Sequence, residues 1–571
     1  MFPKLQLLLV LVIGFFATDF AAAQSKNMAY QSLPVKVLQL PASATEHLTM
    51  TPRAGKRAIL KIAERLAVNE TAQQQGLWMN DGQQAVWRYR VASSDAKGMS
   101  FSLSLPQWDA QMQVRVVETE NPANAIVLNP NDYKGHVKVR SPFLPGKDFV
   151  LEVSVPASAQ AQTDVKVDAV NVYPSLREPK VLQKTASGTC EIDVVCSSAN
   201  GQAWIDAYRN QIRSVGMLEF EAEDENGDLA VYACSGTLMN NTKQDRTPYL
   251  LTANHCISRT AEAQSTIVYW NYQSPVCRTV GSAANGNPID YSTFPTSTGT
   301  TIVSTWSNEV DANDNYIGSD FTLLKLDQAP SSSLKLYFAG WEKRTFMPLS
   351  AVGIHHAYGE EKRISAENDA PVQVSFSDNI PANAYMEVGA WDKGVTEVGS
   401  SGSALFNQAQ RVVGTLSFGD SGCDAGADIV TGPDYYGRLA IHWTGGGTAA
   451  TRLKDWLDPL NTNPNNMDGI EATATAIDED TPLPDRHVLT SIFPNPFTPN
   501  TVLTMQSDRT EYVKVRLYSI TGALVRELYA GVLAGQQMET VALGDLKIAN
   551  GVYLVQVKGE SFSQTERFVK R

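Results

Sequence analysis

A serine set among glycines, Gly399-Ser400-Ser401-Gly402-Ser403, is the stretch of this chain best placed to do chemistry. A serine hydroxyl is a poor nucleophile unless a base takes its proton and a third group orients that base. Both partners stand upstream, His255 in Thr252-Ala253-Asn254-His255-Cys256 and Asp320 in Ser319-Asp320-Phe321-Thr322-Leu323-Leu324. Such a set performs acyl transfer. The serine attacks a carbonyl carbon, the histidine carries the proton to the leaving group, and the aspartate fixes the imidazole tautomer. The order His, Asp, Ser is one of three unrelated orders in which this chemistry occurs. By composition alone, Ser400 and Ser403 are rivals of Ser401. Each piece is weak by itself, but each lies beside a strand. Pro248-Tyr249-Leu250-Leu251 leads into His255, a polar–apolar alternation follows Asp320, and Ala404-Leu405-Phe406 follows the serine loop.

Those strands must belong to one domain of a larger chain. At 571 residues, roughly two to four domains are expected. With 43% hydrophobic and 19% charged residues the composition is globular. A net charge of −13 argues against a nucleic-acid partner. All six cysteines lie between Cys190 and Cys423, which marks one disulfide-bearing domain with cysteine-free flanks. Six cysteines allow fifteen pairings. There is no CxxC pair, so zinc is not expected. His355-His356 is a poor metal pair, because adjacent side chains point apart on a strand. Asp311 to Asn315 lacks the spacing of a calcium loop, and Gly445-Gly446-Gly447 lacks the GK[ST] of a phosphate cradle. No cofactor or metal is expected.

At the N-terminus, Lys4, an apolar run from Leu7 to Phe16 and Ala21-Ala22-Ala23 have the layout of a signal peptide over 1–23, with an apolar run too short to span a bilayer. The product is exported. Residues 24–184 are strand-like at Ala85–Val91, Ser100–Leu105 and Phe149–Val155. One helix is expected from Lys56 to Ala67, with Ile59, Ile62, Ala63 and Leu66 on one face. A β-rich pro-region fits a segment that precedes a catalytic domain. Lys184-Thr185, in small and polar surroundings, is the expected processing point.

From Thr185 to about Ile470 the sequence resembles the bacterial lysyl endopeptidases, secreted trypsin-like enzymes. Gly188-Thr189-Cys190-Glu191-Ile192-Asp193, Val268-Tyr269-Trp270-Asn271-Tyr272, Ile354-His355-His356, Gly394-Val395-Thr396-Glu397, Tyr436-Gly437-Arg438 and Trp443-Thr444-Gly445-Gly446-Gly447 carry the likeness, as does Ser319-Asp320-Phe321-Thr322-Leu323-Leu324. The resemblance implies a double β-barrel and selects Ser401 as nucleophile. It implies the Gly399 and Ser401 amides as oxyanion hole. It implies disulfides Cys190–Cys423, Cys196–Cys277 and Cys234–Cys256. Ordinary trypsins hold the pocket carboxylate six residues before the serine, where Val395 stands here. The lysyl endopeptidases take it just before Tyr-Gly-Arg, which selects Asp434 over Glu397 and Asp428. Ser417 and Gly419 would line the same substrate site. Ser417 replaces a histidine of that family and matches the ordinary trypsins, in which this hydroxyl supports the aspartate; its role is therefore expected beside Asp320. Ser400 stands where trypsin zymogens carry the aspartate that pairs with a new N-terminal amine. The implied substrates are proteins or peptides with Lys at the cleavage site. A Lys-specific enzyme could cut its own chain after Lys184.

Residues 471–487 are small, acidic and Pro-containing, a linker composition. From 488 to 571 come Phe493-Pro494-Asn495-Pro496-Phe497, then alternating Val513–Tyr518, then Asn550–Val557, a small β-sandwich in outline. This tail resembles the C-terminal sorting domain of the type IX secretion system, whose machinery would then be a partner. The chain is thus expected to be mainly β and monomeric: signal peptide (1–23), β-rich propeptide (24–184), chymotrypsin-like double-barrel protease (185–470), linker and sorting domain. Cleavage after Lys is expected. Cleavage after both Lys and Arg, or an inactive surface-binding homologue, are the alternatives. The final location would be the medium or the cell surface, reached through the periplasm and outer membrane.

Overall fold

The computed structural model describes residues 30–40, 50–53, 56–80, 83–108, 111–133, 136–173, 189–307, 318–376, 381–423, 429–430, 432–472, 488–493 and 499, and within 501–570 all but 508–509, 521, 536 and 560–562. The signal peptide, Lys184-Thr185, the acidic turn at 311–315, Asp428 and almost all of the linker lie outside them. The chain divides into two compact units. The first comprises 1–48, 62–178 and 229–231, the second the remainder.

In the first unit, strand Asp148–Pro156 pairs antiparallel with Gln84–Ala92 on one side and Gln113–Glu118 on the other. Gly98–Ser104 pairs with Lys166–Tyr173. Alternating residues of these strands build the core: Trp87, Tyr89 and Val91, then Phe149, Leu151 and Val153. That is the period-2 pattern of a sheet with one face packed. The helix expected over Lys56–Ala67 is instead a 16-residue strand, Lys56–Thr71. Its apolar residues sit at helical spacing, but Ile59, Ile62, Val68 and Thr71 are β-branched. The segment Glu64–Thr71 also has a partner waiting in Lys166–Val172. Local periodicity lost to strand pairing, the usual outcome when a neighbouring ladder is available.

In the second unit two antiparallel sheets carry the site. One contains Val215–Glu223, residues 232–239, Tyr249–Thr252, Ile267–Trp270, Thr300–Trp306 and Phe321–Leu326. Leu251 pairs with Thr237 and with Leu323, so the His-bearing and Asp-bearing segments leave adjacent strands. The other runs Arg363–Glu367, Ala351–His355, Ala404–Asn407, Val412–Gly419, Asp434–Arg438 and Tyr385–Val388. Phe321, Leu323, Trp341, Ile354, Phe406 and Trp443 form one buried cluster drawn from both sheets, so the functional loops emerge from a shared core. The fold is mainly β. The tail is a two-sheet sandwich by itself. Val488–Phe493, Val502–Ser507 and Met538–Ala542 form one layer, and four strands led by Glu511–Ser519 form the other, around Leu503, Val515, Val555 and Phe568.

Candidate active site

His255 follows the strand Tyr249–Thr252, and Asp320 immediately precedes Phe321–Leu326. The antiparallel pairing Thr252↔Thr322 sets the two loops side by side. His255 Nδ1 lies 2.7 Å from Asp320 Oδ2, and the His255 amide donates to Oδ1 at 2.9 Å. The Ser417 hydroxyl also donates to Asp320 Oδ2. Three donors converge on this fully buried carboxylate and fix its orientation, the condition for orienting an imidazole. Asp320 itself has φ +61°, a left-handed conformation that Asp tolerates better than most residues. Behind it, His442 Nε2 donates to the Ser319 carbonyl at 2.8 Å. Burial lowers the His442 pKa to about 4, so this imidazole is a neutral prop.

Ser401 is brought to the same place by Ser235, which the sequence reading did not single out. The Ser235 amide donates to the Ser401 carbonyl at 2.8 Å, and its hydroxyl donates to the Gly399 carbonyl at 3.0 Å. Its own carbonyl accepts from Thr252 Oγ1 at 2.9 Å. Ser235 therefore ties the nucleophile loop to the His255 loop. Its neighbour Cys234 is bonded to Cys256, next to His255. Gly399 has φ +91°, and a Cβ there would lie 2.7 Å from the Gly359 amide nitrogen and 2.8 Å from the His356 carbonyl. A Cβ at Gly402 would lie 2.2 Å from Thr252 Oγ1. Both glycines are required by close approach.

Asp434 begins the strand Asp434–Arg438, and its side chain is 0% exposed. Oδ2 accepts from Trp391 Nε1 at 2.6 Å and from Thr396 Oγ1 and Ser421 Oγ at 2.7 Å each. Oδ1 has only a 3.4 Å approach from the Ser421 amide among the described residues. A Cβ at Gly419 would lie 1.8 Å from Oδ1, so the missing side chain there opens the approach to this oxygen. Burial pushes the Asp434 pKa up, against the pull of the Trp391, Ser421 and Thr396 donors. Trp391 carries no motif, and its part in seating Asp434 could not be read from spacing. Glu397, the rival carboxylate, accepts from the Cys423 amide at 3.2 Å. Val395, at the ordinary trypsin position, is fully buried.

The three disulfides are Cys190–Cys423, Cys196–Cys277 and Cys234–Cys256, the pairs implied by resemblance. Glu191, beside Cys190, is fully buried. Neither of its carboxylate oxygens has a hydrogen-bond partner among the described residues. Burial, with Glu397 nearby, holds its pKa well above the ordinary carboxylate range.

The structure thus brings the buried His255–Asp320 pair and the Ser401 loop together through Ser235. Residues 184–437 match the family model of the lysyl endopeptidase C-terminal domain, and residues 491–571 match that of a secretion system C-terminal sorting domain. The latter marks the chain for type IX export to the cell surface or the medium. The chain is similar to a lysyl endopeptidase of Pseudomonas aeruginosa, 27% identical over 302 residues, or 52% of this chain. The match spans 57% of that protein's length. Solved structures similar to it include two Vibrio cholerae proteins. The secreted serine protease VesC is 13% identical, over 62% of this chain and 68% of that one, with a TM-score of 0.25. The protease VesB is 12% identical, over 63% and 95%, with a TM-score of 0.26.

Proposed function

We propose that this protein is a secreted endopeptidase that hydrolyses peptide bonds on the carboxyl side of Lys and is made as a zymogen. His255 takes the proton of the Ser401 hydroxyl as the oxygen attacks the carbonyl carbon, and later gives it to the leaving amine. Asp320, steadied by Ser417, holds the Nδ1–H tautomer and stabilises the imidazolium. The amides of Gly399 and Ser401 receive the oxyanion, a contribution of roughly 3–4 kcal/mol per donor in such sites. Water repeats the cycle on the acyl-enzyme. The substrate's Lys ammonium pairs with Asp434 beneath Gly419. Residues 24–184 are the pro-region, 185–470 the protease and 471–487 the linker. Cleavage after Lys184 frees the enzyme, which acts as a monomer on protein substrates.

The observation that carries this reading is Asp434. It is a fully buried carboxylate with one oxygen occupied by three donors and the other lying under a glycine. A positively charged side chain is the natural ligand of such an oxygen. The test is cleavage-site profiling of a denatured protein mixture by the mature enzyme, with Ser401→Ala as control. Cuts after Lys, absent with Ser401→Ala, are expected. Equal cutting after Lys and Arg would overturn the specificity. No cutting by folded mature protein that also resists a fluorophosphonate would overturn the enzyme.

A further inference from the structure

The residue just before the proposed nucleophile is Ser400, and it has a partner that catalysis does not use. Ser400 Oγ lies 2.9 Å from His355 Nδ1, and the other ring nitrogen, Nε2, lies 2.9 Å from Ser365 Oγ. Ser365 Oγ donates to the Val395 carbonyl at 2.7 Å, and the Glu397 amide donates to Ser400 Oγ at 3.2 Å. Ser400, His355, Ser365 and Val395 are all 0% exposed.

Every proton in this chain can be assigned. Ser365 spends its hydrogen on the Val395 carbonyl, so it accepts from His355 Nε2–H. The imidazole Nδ1 therefore carries no proton and accepts from the Ser400 hydroxyl. Ser400 Oγ in turn accepts from the Glu397 amide. The order is Glu397 N–H to Ser400 O–H to His355 Nδ1, then His355 Nε2–H to Ser365 O–H to Val395 C=O. A protonated imidazole would strand the Ser400 hydrogen in a dry site, at the cost of an unsatisfied buried donor. Burial and the nearby Arg363 hold the His355 pKa down at about 3, which agrees with the neutral ring.

The chain grips both ends of one turn. Val395 starts the segment that runs through Glu397 to Gly399 and Ser400; the Ser365–Val395 bond fastens one end to a hairpin and the His355–Ser400 bond the other. That hairpin is rigid, with Ala351–His355 paired to Arg363–Glu367 in full register. The turn is also flanked by glycines in left-handed conformation, Gly394 at φ +64° and Gly399 at φ +91°.

We propose that Ser400, His355 and Ser365 are positioning residues, a neutral brace that presets the oxyanion-binding turn without any charged partner. The inference rests on reading Ser401 as the nucleophile. In this arrangement the turn is formed when the hairpin and the loop fold together. The new amine at Thr185 takes no part.

Two measurements test the brace. The first compares Ser400→Ala with the wild-type mature enzyme. The readouts are kcat and KM on a Lys peptide amide, affinity for a peptide lysinal aldehyde that builds an oxyanion, affinity for a simple alkylammonium, and thermal stability. A drop in kcat of about 10²-fold is expected if the turn loosens around the oxyanion, with lysinal affinity weakened in parallel. KM and alkylammonium affinity are expected to stay within about twofold. The second uses Thr185→Gln, whose mature first residue cyclises to pyroglutamate and so has no amine. Its kcat should equal that of the wild type, and this variant leaves the brace untouched should Ser400→Ala fail to fold. Unchanged kcat in Ser400→Ala, or a loss shared equally by kcat, KM and alkylammonium affinity, would overturn the positioning role. Loss of activity in the blocked chain would overturn it too. A wild-type enzyme that neither cleaves nor reacts with a fluorophosphonate would instead remove the reading of Ser401, and the brace with it.

Discussion

Asp434→Asn is the substitution that most directly interrogates the pocket. The change is nearly isosteric, so its effect can be reasoned atom by atom. Trp391, Thr396 and Ser421 all donate toward the Oδ2 position. The asparagine must turn its carbonyl oxygen to those donors, because its NH₂ there would face three N–H or O–H groups. Its NH₂ then occupies the Oδ1 position under Gly419, where the proposed Lys ammonium would arrive. The substitution thus removes a charge and presents a donor to a donor. At ~4 Å and an effective dielectric of ~20 the lost attraction is about 4 kcal/mol, or about 10³-fold in kcat/KM. A norleucine substrate has the same stem without the charge and should lose less than about threefold, since its binding rests on apolar contact alone. The assay is kcat/KM on matched Lys, Arg and norleucine peptides. An equal loss on Lys and norleucine would mean that the variant damages the pocket as a whole. A loss under about tenfold on Lys would mean that the recognising carboxylate lies elsewhere, and either result would refute the reasoning.

Removing the hydroxyl in Ser417→Ala takes one charge-assisted donor from Asp320. Such bonds contribute about 1.5–3 kcal/mol, so kcat should fall at least tenfold with KM nearly unchanged, as steady-state kinetics would reveal. Lys362 is fully buried with Nζ on the Ile212 carbonyl at 2.7 Å, and burial lowers its pKa to about 7. Because the folded pKa lies below the unfolded one, the unfolded chain binds more protons between pH 7 and about 10.5, and stability rises with pH across that window. Denaturant midpoints measured along the window should climb in the wild type and flatten in Lys362→Met. A chain ended at residue 487, which keeps the protease and loses the sorting domain, should accumulate inside the cell. Fractionation with an activity stain would detect it, and undiminished release into the medium would count against the tail's role.

Much of the candidate site was legible because its residues lie in contiguous, chemically distinctive stretches. His255, Asp320 and the Gly399–Ser403 loop each announce themselves by residue type and by the strand beside them. The strands of the first unit and of the tail were visible in period-2 alternation. The segment Lys56–Thr71 was not, because apolar residues on successive positions satisfy helical and strand periods alike, and only a partner strand decides between them. Ser235, Trp391 and His355 escaped for a different reason. Each acts through hydrogen bonding to a residue more than forty positions away. Nothing in a local window distinguishes such a serine or tryptophan from an ordinary core residue. The neighbouring histidines 355 and 356 illustrate the difficulty. They are adjacent in sequence, yet one faces Ser400 and the other the Glu360 carbonyl.

The three disulfides form rings that sit wholly inside one another. Cys234–Cys256 lies within Cys196–Cys277, and that within Cys190–Cys423. A chain threaded from its N-terminus presents the second cysteine of each ring in the order innermost, middle, outermost. Each closure can therefore be completed before the next begins, with no ring having to pass through another. Loop separation grows from 22 to 233 residues across the set, which adds only about 2 kcal/mol of closure entropy. The outermost ring waits for Cys423, which emerges after the whole serine loop. Until then Cys190 lacks its native partner, a chemical marker that the proposed protease domain is still incomplete. The sorting sandwich contains no cysteine, so the address label can fold without touching that marker or competing for it.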